Sequence, residues 1–332
     1  MGPFPNITDK GKKELRILRL SEIGAMKPCA ATVGFFDGVH RGHCFLIDRL
    51  RQLADNKGLS SAIITFDKHP REVMHADFQP KMLSTFEEKT ERLAKAGADM
   101  CIVLSFSEMR NLSAYEFMRD VLRDKLNASL LLTGYDNRFG HNRSEGFDDY
   151  VAYGQRLGIQ VVRGESFVLN GIGVSSSVIR KLLEEGDAEA ASMCLGRPYS
   201  IHGQVVRGKH IGTDIGFPTA NIEPDLPTKL IPGNGVYAAR INIIGKNDAI
   251  GLESMINIGT RPTFGGKSLT IEAHIFGFGS NIYGERIEAE FIRKIRDERR
   301  FSDAGELAVQ LRKDAKDVIE MFKNKSITYK KK

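Results

Sequence analysis

Residues 30–43 read AATVGFFDGVHRGH, and this stretch decides the fold of the first half of the chain. Its small and β-branched residues predict a buried strand over Ala31–Phe35, and the apolar residues that follow at helical spacing predict a helix over Cys44–Asp55. Between the two elements lie glycines and two histidines, His40 and His43. Open α/β sheets bind ligands at the carboxyl ends of their strands. The stretch therefore predicts a ligand site where the first strand ends.

The alternation of short apolar runs with amphipathic segments continues to about residue 165, which is typical of a parallel sheet covered by helices. The further strands predicted in this region are Ala62–Phe66, Met100–Leu104, Leu130–Thr133 and Gln160–Val162. A helical pattern over Ser176–Glu185 ends at Gly186, a residue suited to a helix C-cap. The first half is therefore predicted to be a Rossmann-like α/β domain.

After Gly196 the residue pattern changes to strand-like runs separated by glycine- and proline-rich segments, which predicts a compact antiparallel β-barrel. The predicted strands are Ser200–Val206, Gly235–Ile244, Ser254–Ile258, Thr270–Phe276 and Arg286–Ile292, and a terminal helix is predicted over Ala304–Phe322. A length of 332 residues also favours two domains. We predict domains over residues 14–186 and 187–325, with the boundary near residues 186–198.

Composition narrows the class of protein. With 41% hydrophobic and 27% charged residues the chain can bury a core, which excludes wholesale disorder. The four cysteines show no C-x-x-C spacing, so neither a disulfide framework nor a zinc knuckle is indicated. No segment resembles a signal peptide or a membrane span, and we expect a cytoplasmic protein without a membrane partner. The net charge of +6 suits phosphate-bearing small molecules and does not require nucleic acid.

The segment Gly34–His43 has the features of a phosphate site. Glycines allow close backbone approach, the start of the following helix offers free N–H groups, and two histidines three residues apart can face one anion. Such a site would stabilise charge that builds up on a pentavalent phosphorus. Two alternatives stay open here: a metal site, for which His-x-x-His lacks a nearby third ligand, and a turn with incidental histidines.

The segments GFFDGVHRGH, TFDKHPREV, GYDNRFGHNRSEG and VSSSVIRKLL occur in this order along the chain. Together they closely resemble the adenylyltransferase module of the bacterial bifunctional riboflavin kinase/FMN adenylyltransferase family, also called FAD synthetases. The resemblance implies that His40 and His43 are catalytic, binding ATP phosphates while the phosphate of FMN attacks the α-phosphorus and pyrophosphate leaves.

Further site residues are carried over from the same resemblance. ATP or its phosphates are expected to contact Gly34, Phe36, Asp37, Gly42, Ser176, Ser177 and Arg180, and flavin is expected to contact Asp136 and Arg138. A serine-rich helix start followed by an arginine is chemically suited to an anion, although helix capping by the serines alone is an alternative. Asn137 departs from the family, which usually has an aromatic residue there.

The second half carries the stretch GQVVRGKHIGTDIGFPTAN over residues 203–221, in which Gly208, Gly212 and Gly216 are four residues apart and the ending of a P-loop is lacking. Spacing alone leaves a glycine-rich turn as an alternative. The PTAN quartet, NIGTRPTFGG and IEAHIF resemble the riboflavin kinase part of the same family. The resemblance implies that Thr219 and Asn221 bind Mg²⁺, and that Glu272 is the catalytic base for the riboflavin 5′-hydroxyl.

The same resemblance places ATP near Gly208, Lys209, Gly212 and Pro218, and flavin near Arg296. The implied substrates are riboflavin, FMN and ATP, with Mg²⁺ as cofactor, FMN as intermediate and FAD as product. A homo-oligomer stays open. The chain departs from the family at Gly277, Gly279 and Asn281, where acidic residues are usual.

Two other functions compete with this one. The departures near Gly277 motivate an enzyme that has lost the kinase reaction and retains FMN adenylylation. The basic charge and the barrel motivate a nucleic-acid-binding protein, but the barrel region lacks the periodic basic and aromatic residues on which single strands stack.

Overall fold

The chain divides into two units, residues 1–176 and residues 177–332. A computed structural model describes residues 15–69, 72, 79–208, 216–263 and 266–329 of these units. The division lies ten residues before the end that the sequence predicts for the first domain, at residue 186, and that boundary stays a prediction.

A six-stranded parallel sheet forms the centre of the first unit, with strand order β1-β4-β3-β2-β5-β6. The strands are β1 (Arg16–Arg19), β2 (Cys29–Val33), β3 (Ser60–Phe66), β4 (Met100–Leu104), β5 (Ala128–Thr133) and β6 (Gln160–Arg163). All five residues of β2 and of β4 are buried, as expected of strands covered on both faces. Five of the strands agree with the predicted ones. The edge strand β1 was not predicted, because its four residues, RILR, are half charged.

The order of the strands creates a crevice beside β2. From β2 the chain moves outward to β3 and β4 on one side, and it later returns to β5 on the other side. The connections that leave the neighbours β2 and β5 therefore run in opposite directions. Such a switch point is where open α/β sheets bind ligands.

Helices and a small hairpin complete the first unit. The helices are α1 (Arg41–Asp55), α2 (Phe86–Lys95), α3 (Phe106–Met109), α4 (Ala114–Glu116), a π-helix (Phe117–Arg123) and α5 (Phe147–Leu157), and the hairpin strands are β7 (Val168–Leu169) and β8 (Ile172–Gly173). Helix α1 buries Ile47, Leu50 and Ala54, whose spacing of three and four residues forms one face. Helix α2 starts in a capping box of Thr85 and Glu88, each accepting a hydrogen bond from the other's backbone N–H.

A closed barrel forms most of the second unit, with strand order β10-β13-β12-β11-β14-β9. Its strands are β9 (Tyr199–Val206), β10 (Ala220–Pro224), β11 (Gly235–Ile243), β12 (Leu252–Thr263), β13 (Gly266–Ile275) and β14 (Arg286–Arg296); the helices are α6 (Ser176–Glu184, which starts at the division), α7 (Ala188–Leu195) and α8 (Ala304–Tyr329). Every pair of neighbouring strands is antiparallel, and closure leaves no free sheet edge. The predicted α/β domain followed by a β-barrel with a terminal helix is confirmed. Strand β10 was not predicted, because its short polar sequence overlaps the PTAN quartet.

Helix α8 is attached to the barrel by an apolar patch and an ion pair. Val318 and Phe322 are fully buried against a cluster that includes Val236. The carboxylate of Asp314, only 1% exposed, accepts from Arg296 at 2.9 and 3.0 Å from Nε and at 2.8 Å from Nη2. Bidentate pairs of this kind fix geometry as well as charge.

Within the described residues, no helix is both long enough and apolar enough to cross a membrane.

We predict that Asp314→Asn lowers the free energy of unfolding of the barrel unit by about 3 kcal/mol, because it leaves the Arg296 guanidinium largely buried without a counter-charge. Urea unfolding followed by circular dichroism measures the change. The matched control is Asp317→Asn on the exposed side of the same helix, which should change stability by less than about 0.5 kcal/mol. Equal unfolding curves for the two variants would show that the ion pair does not anchor the helix.

Candidate active sites

A strained turn joins β2 to α1 and carries the first candidate site. Phe36, Gly38 and Val39 have φ angles of +56°, +79° and +41°. This left-handed region suits glycine but is uncommon for other residues, and for a β-branched valine it is a clear outlier. Phe36 and Val39 are each only 2% exposed, so packing holds them in this conformation. Strain of this kind persists where the surrounding structure over-determines the backbone.

The carboxylate of Asp37 holds the turn from inside. It is 3% exposed and accepts hydrogen bonds from the backbone N–H of Leu83 and Ser84, at 3.0–3.1 Å, and from the Ser84 hydroxyl at 3.1 Å. The Ser84 hydroxyl also accepts from the N–H of Gly38 at 3.0 Å. These contacts assign Asp37 the role of fixing the turn, and the ATP contact expected of it stays a prediction.

His40 and His43 stack on each other at the start of α1. Their ring centroids are 3.6 Å apart with 15° between the planes, and Nδ1 of His40 caps the helix by accepting from the backbone N–H of His43 at 3.2 Å. Gly42 permits this packing, because a Cβ there would lie 3.2 Å from the His40 ring and 3.0 Å from the carbonyl oxygen of Val174. In the tautomer that makes this hydrogen bond, Nδ1 of His40 is the acceptor and the ring proton is on Nε2.

His43 is held as a neutral imidazole. Burial, followed by the charges of His40 and Lys89, lowers its pKa well below the ordinary value. Its Nδ1 is a buried polar atom that has no hydrogen-bond partner within the part of the chain that the structure describes. A buried, unsatisfied imidazole nitrogen at a helix start is suited to meet an oxygen of a bound anion.

Lys89 of α2 is a residue that the sequence analysis missed. It is 3% exposed, and its Nζ donates to the carbonyl oxygens of Phe35 and Phe66, at 3.3 and 3.0 Å, and to the hydroxyl of Thr65 at 3.3 Å. These acceptors lie at and beyond the carboxyl ends of β2 and β3. The available signal was its position four residues before the buried Leu93, on the apolar face of its helix.

Of the remaining predicted residues of the first site, Ser176 and Gly34 lie beside the turn. The hydroxyl of Ser176 donates to the carbonyl oxygen of Asp37 at 3.0 Å, whereas Ser177 is exposed and Arg180 half-buried in α6. Gly34 lies under the ring of Phe36, which a Cβ would approach to 3.0 Å.

The loop after β5 carries Asp136 and Arg138, which are both exposed. Between them, Asn137 donates from its side-chain amide to the carbonyl oxygen of Val33. Asn137, where an aromatic residue was expected, therefore ties the end of β2 to the neighbouring loop across the switch point. Ligand contacts of Asp136 and Arg138 stay a prediction.

The barrel brings the second set of predicted residues into one row. Asn221 of β10 pairs with Glu272 of β13, which in turn pairs with Asn257 of β12. Directly paired residues of neighbouring strands project to the same face of a sheet, so the carboxylate and the two amides share one side of the barrel wall. All three are half-buried. Asn257 was not singled out from the sequence, although it begins the quoted NIGTRPTFGG segment.

Gly208 leaves room for Asn221. A Cβ at position 208 would lie 2.0 Å from Nδ2 and 3.1 Å from Oδ1 of Asn221, so any side chain would displace the amide. Thr219 is half-buried two residues before Asn221, and the carbonyl oxygen of Pro218 lies 2.8 Å from Nδ1 of His274. The predicted residues Lys209 and Gly212 lie outside the described residues.

Arg296 stabilises the barrel unit. Its guanidinium donates to the carboxylate of Asp314 and, at 3.0 Å, to the carbonyl oxygen of Asp297. Its flavin contact stays a prediction.

The donor types around Asn221 suit Mg²⁺. In the residues that the structure describes, no group of three or more His, Cys, Asp and Glu side chains is arranged to hold a metal ion. The hydroxyl of Thr219 and the amide oxygen of Asn221 are hard ligands, which Mg²⁺ accepts when waters and substrate phosphates complete its shell. The space that Gly208 leaves for the amide is consistent with such a site.

Comparisons with known proteins match both units. The FAD synthetase family model covers residues 23–178, and the riboflavin kinase family model covers residues 195–322. The bifunctional riboflavin kinase/FMN adenylyltransferase of Haemophilus influenzae is 37% identical over 298 residues, which are 90% of this chain and 95% of that protein. The Escherichia coli protein of the same name is 34% identical, with 89% of this chain and 93% of that protein covered.

A solved structure shares the fold over nearly the whole chain. It is described as a macrolide-efflux protein from Streptococcus pneumoniae, is 27% identical, and aligns with a TM-score of 0.80 over 91% of this chain and 98% of its own. The two family models follow each other along the chain, and the relatives match it almost end to end. The chain belongs to the bifunctional riboflavin kinase/FMN adenylyltransferase family, with the FAD synthetase part first and the riboflavin kinase part second.

Proposed function

We propose that His40 and His43 carry the FMN adenylyltransferase activity of this chain, and that Glu272 carries its riboflavin kinase activity. The observation that supports the first assignment most is the stacked histidine pair at the start of α1, beside the switch point of the sheet. Gly34, Phe36 and Gly42 shape the backbone around it. Ser176, Ser177 and Arg180 are proposed to bind further phosphate oxygens.

In the adenylylation step, a phosphate oxygen of FMN attacks the α-phosphorus of ATP, a P–O bond forms, and the bond to pyrophosphate breaks. Negative charge is spread over the phosphate oxygens as the reaction proceeds. The remaining N–H groups at the start of α1, Nε2 of His40 and the imidazole of His43 are proposed to stabilise it. Burial lowers the pKa of His43 in the free chain, and an approaching anion raises that pKa again, which favours the charged form of the ring beside the phosphate.

In the kinase step, the carboxylate of Glu272 accepts or orients the proton of the riboflavin 5′-hydroxyl while the γ-phosphoryl group of ATP is transferred. Thr219 and Asn221 would hold Mg²⁺, which neutralises charge on the transferring phosphoryl group when it is bound. Asn257, the neighbour of Glu272 in the row, is suited to orient that carboxylate. The ATP contacts of Gly208, Lys209, Gly212 and Pro218 and the flavin contacts of Asp136, Arg138 and Arg296 belong to the same proposal.

The two reactions fit in sequence, because the FMN that the kinase makes is the flavin substrate of the adenylyltransferase. Riboflavin and ATP are then sufficient as starting materials. A cytoplasmic location and assembly into a homo-oligomer stay predictions.

We predict that His43→Ala lowers the rate of FAD formation from FMN and ATP at least about a hundredfold, because a group that stabilises transition-state charge is lost. Riboflavin phosphorylation by the same preparation should change less than twofold, and product chromatography measures both. The matched control, Arg49→Ala on the exposed side of α1, should retain both rates. Undiminished FAD formation by His43→Ala would remove the histidine pair from the mechanism.

We predict the opposite pattern for Glu272→Gln, which keeps the shape of the side chain and removes its basicity. Riboflavin phosphorylation should fall by about 10²–10⁴-fold while FAD formation from supplied FMN is kept. The control is Glu223→Gln, an exposed carboxylate on β10. Should Glu272→Gln make FMN at the parental rate, another group is the base. If the parental chain makes FAD from supplied FMN but makes no FMN from riboflavin, the result would instead support loss of the kinase reaction.

A further inference from the structure

The ammonium group of Lys89 connects the ends of two neighbouring strands. Its acceptors are the carbonyl oxygens of Phe35, after β2, and of Phe66, the last residue of β3, together with the hydroxyl of Thr65. That hydroxyl itself donates to the carbonyl oxygen of Phe35 at 3.1 Å. One buried cation therefore ties together the two strand ends that border the first site.

The lysine cannot be exchanged for a neutral group without loss. Three oxygen acceptors match the three donor hydrogens of an ammonium group, and hydrogen bonds from a charged donor are about twice as strong as neutral ones. The Nζ atom also lies 4.4 Å from the centroid of the Phe35 ring and 5.3 Å from that of Phe86. The π-electrons of both aromatic rings attract a nearby cation.

One of the hydrogen bonds of Lys89 is made to the residue at which the strained turn begins. Phe35 immediately precedes Phe36, the first residue with positive φ, so holding the Phe35 carbonyl fixes the point at which the turn begins. The turn ends at His40, which caps α1. Lys89 and Asp37 therefore hold the same turn through different elements.

The charge of Lys89 also acts on the histidines. Burial lowers the pKa of Lys89 to about 8, against the opposing influence of Cys101 on β4, Asp37 in the turn and Asp67 after β3. The positive charge is one of the causes that lower the pKa of His43, after burial and His40. Lys89 thus loses its proton as pH rises through about 8, and the strand ends then lose their cation.

We propose that Lys89 is a positioning residue for FMN adenylylation, which holds the Phe35–His40 turn in the conformation that presents the histidine pair to nucleotide phosphates. The inference rests on the proposed role of His40 and His43. It adds a buried lysine from α2 that makes none of the expected ligand contacts.

The experiment compares Lys89→Met and Lys89→Arg with the parental chain, and Lys95→Met, an exposed lysine of the same helix, is the matched control. Lys89→Met should lower kcat for FAD formation at pH 7.5 by about ten- to a hundredfold, the loss that misplaced catalytic groups produce, while riboflavin phosphorylation and the kcat of Lys95→Met stay within twofold. A far-UV circular dichroism spectrum and thermal unfolding transitions that match those of the parental chain show that the first unit has folded, because the kinase rate reports only on the barrel unit. Parental kcat in a folded Lys89→Met would overturn the proposal.

Two further readouts separate positioning from a purely structural role. The parental kcat for FAD formation should fall as pH rises from 7.5 to 9.5, whereas Lys89→Arg, which stays charged, should keep its own kcat over that range. In NMR titrations the pKa of His43 should be higher in Lys89→Met than in the parental chain, because a neighbouring positive charge is removed. The Arg comparison applies even if Lys89→Met fails to fold, and identical pH profiles would overturn the proposal.

The outcome is distinguishable from failure of the underlying site assignment. If His43→Ala retains FAD formation, the histidine site itself is wrong. If His43→Ala abolishes FAD formation and the Lys89 variants behave like the parental chain, only the role of Lys89 is wrong.

Discussion

The strained turn between β2 and α1 is the constraint on which the first unit's site depends. Two non-glycine residues, Phe36 and Val39, adopt positive φ angles there, at a cost of about 1–3 kcal/mol each. The turn persists because the Asp37 carboxylate is saturated with donors from residues 83 and 84, and because Phe36 and Val39 are packed in the core. The strained backbone places two imidazoles at the start of a helix, a position that is suited to anions.

In the barrel, the predicted site residues are brought together by strand pairing. No single stretch of its sequence contains Asn221, Asn257 and Glu272, and closure of the sheet places them in adjacent strands at one level. Rigidity comes from the ladders on both sides of each strand and from α8, whose Asp314 engages Arg296 near the end of β14. A carboxylate base and hard neutral oxygens suit transfer of a phosphoryl group to a hydroxyl, just as imidazoles and helix N–H groups suit attack on the α-phosphorus by a phosphate that is already ionised.

Departures from the family can be interpreted individually. Asn137, where the resemblance led us to expect an aromatic residue, donates a hydrogen bond to the end of β2, so it contributes to the shape of the crevice. Gly277 has a φ of +65°, a conformation that favours glycine over the usual acidic residue, and a Cβ at Gly277 or Gly279 would meet no atom within 4 Å. The described surroundings therefore provide no packing reason for a lost kinase reaction.

The amino-acid sequence was sufficient to predict the parallel sheet, the barrel that follows it, most of their strands, and the histidine, PTAN and glutamate segments. These features depend on local periodicity and on short motifs, which can be recognised without knowledge of contacts. The contacts in the folded chain were needed to show that β1 lies at the sheet edge beside β4, that Arg296 is paired with Asp314, and that Asn257 lies beside Glu272. The fold alone brought Lys89 to Phe35, 54 residues away, and Asp37 to Leu83, 46 residues away. Such partners are selected by packing between distant elements, because a buried charge is stable only where the fold supplies its counterpart.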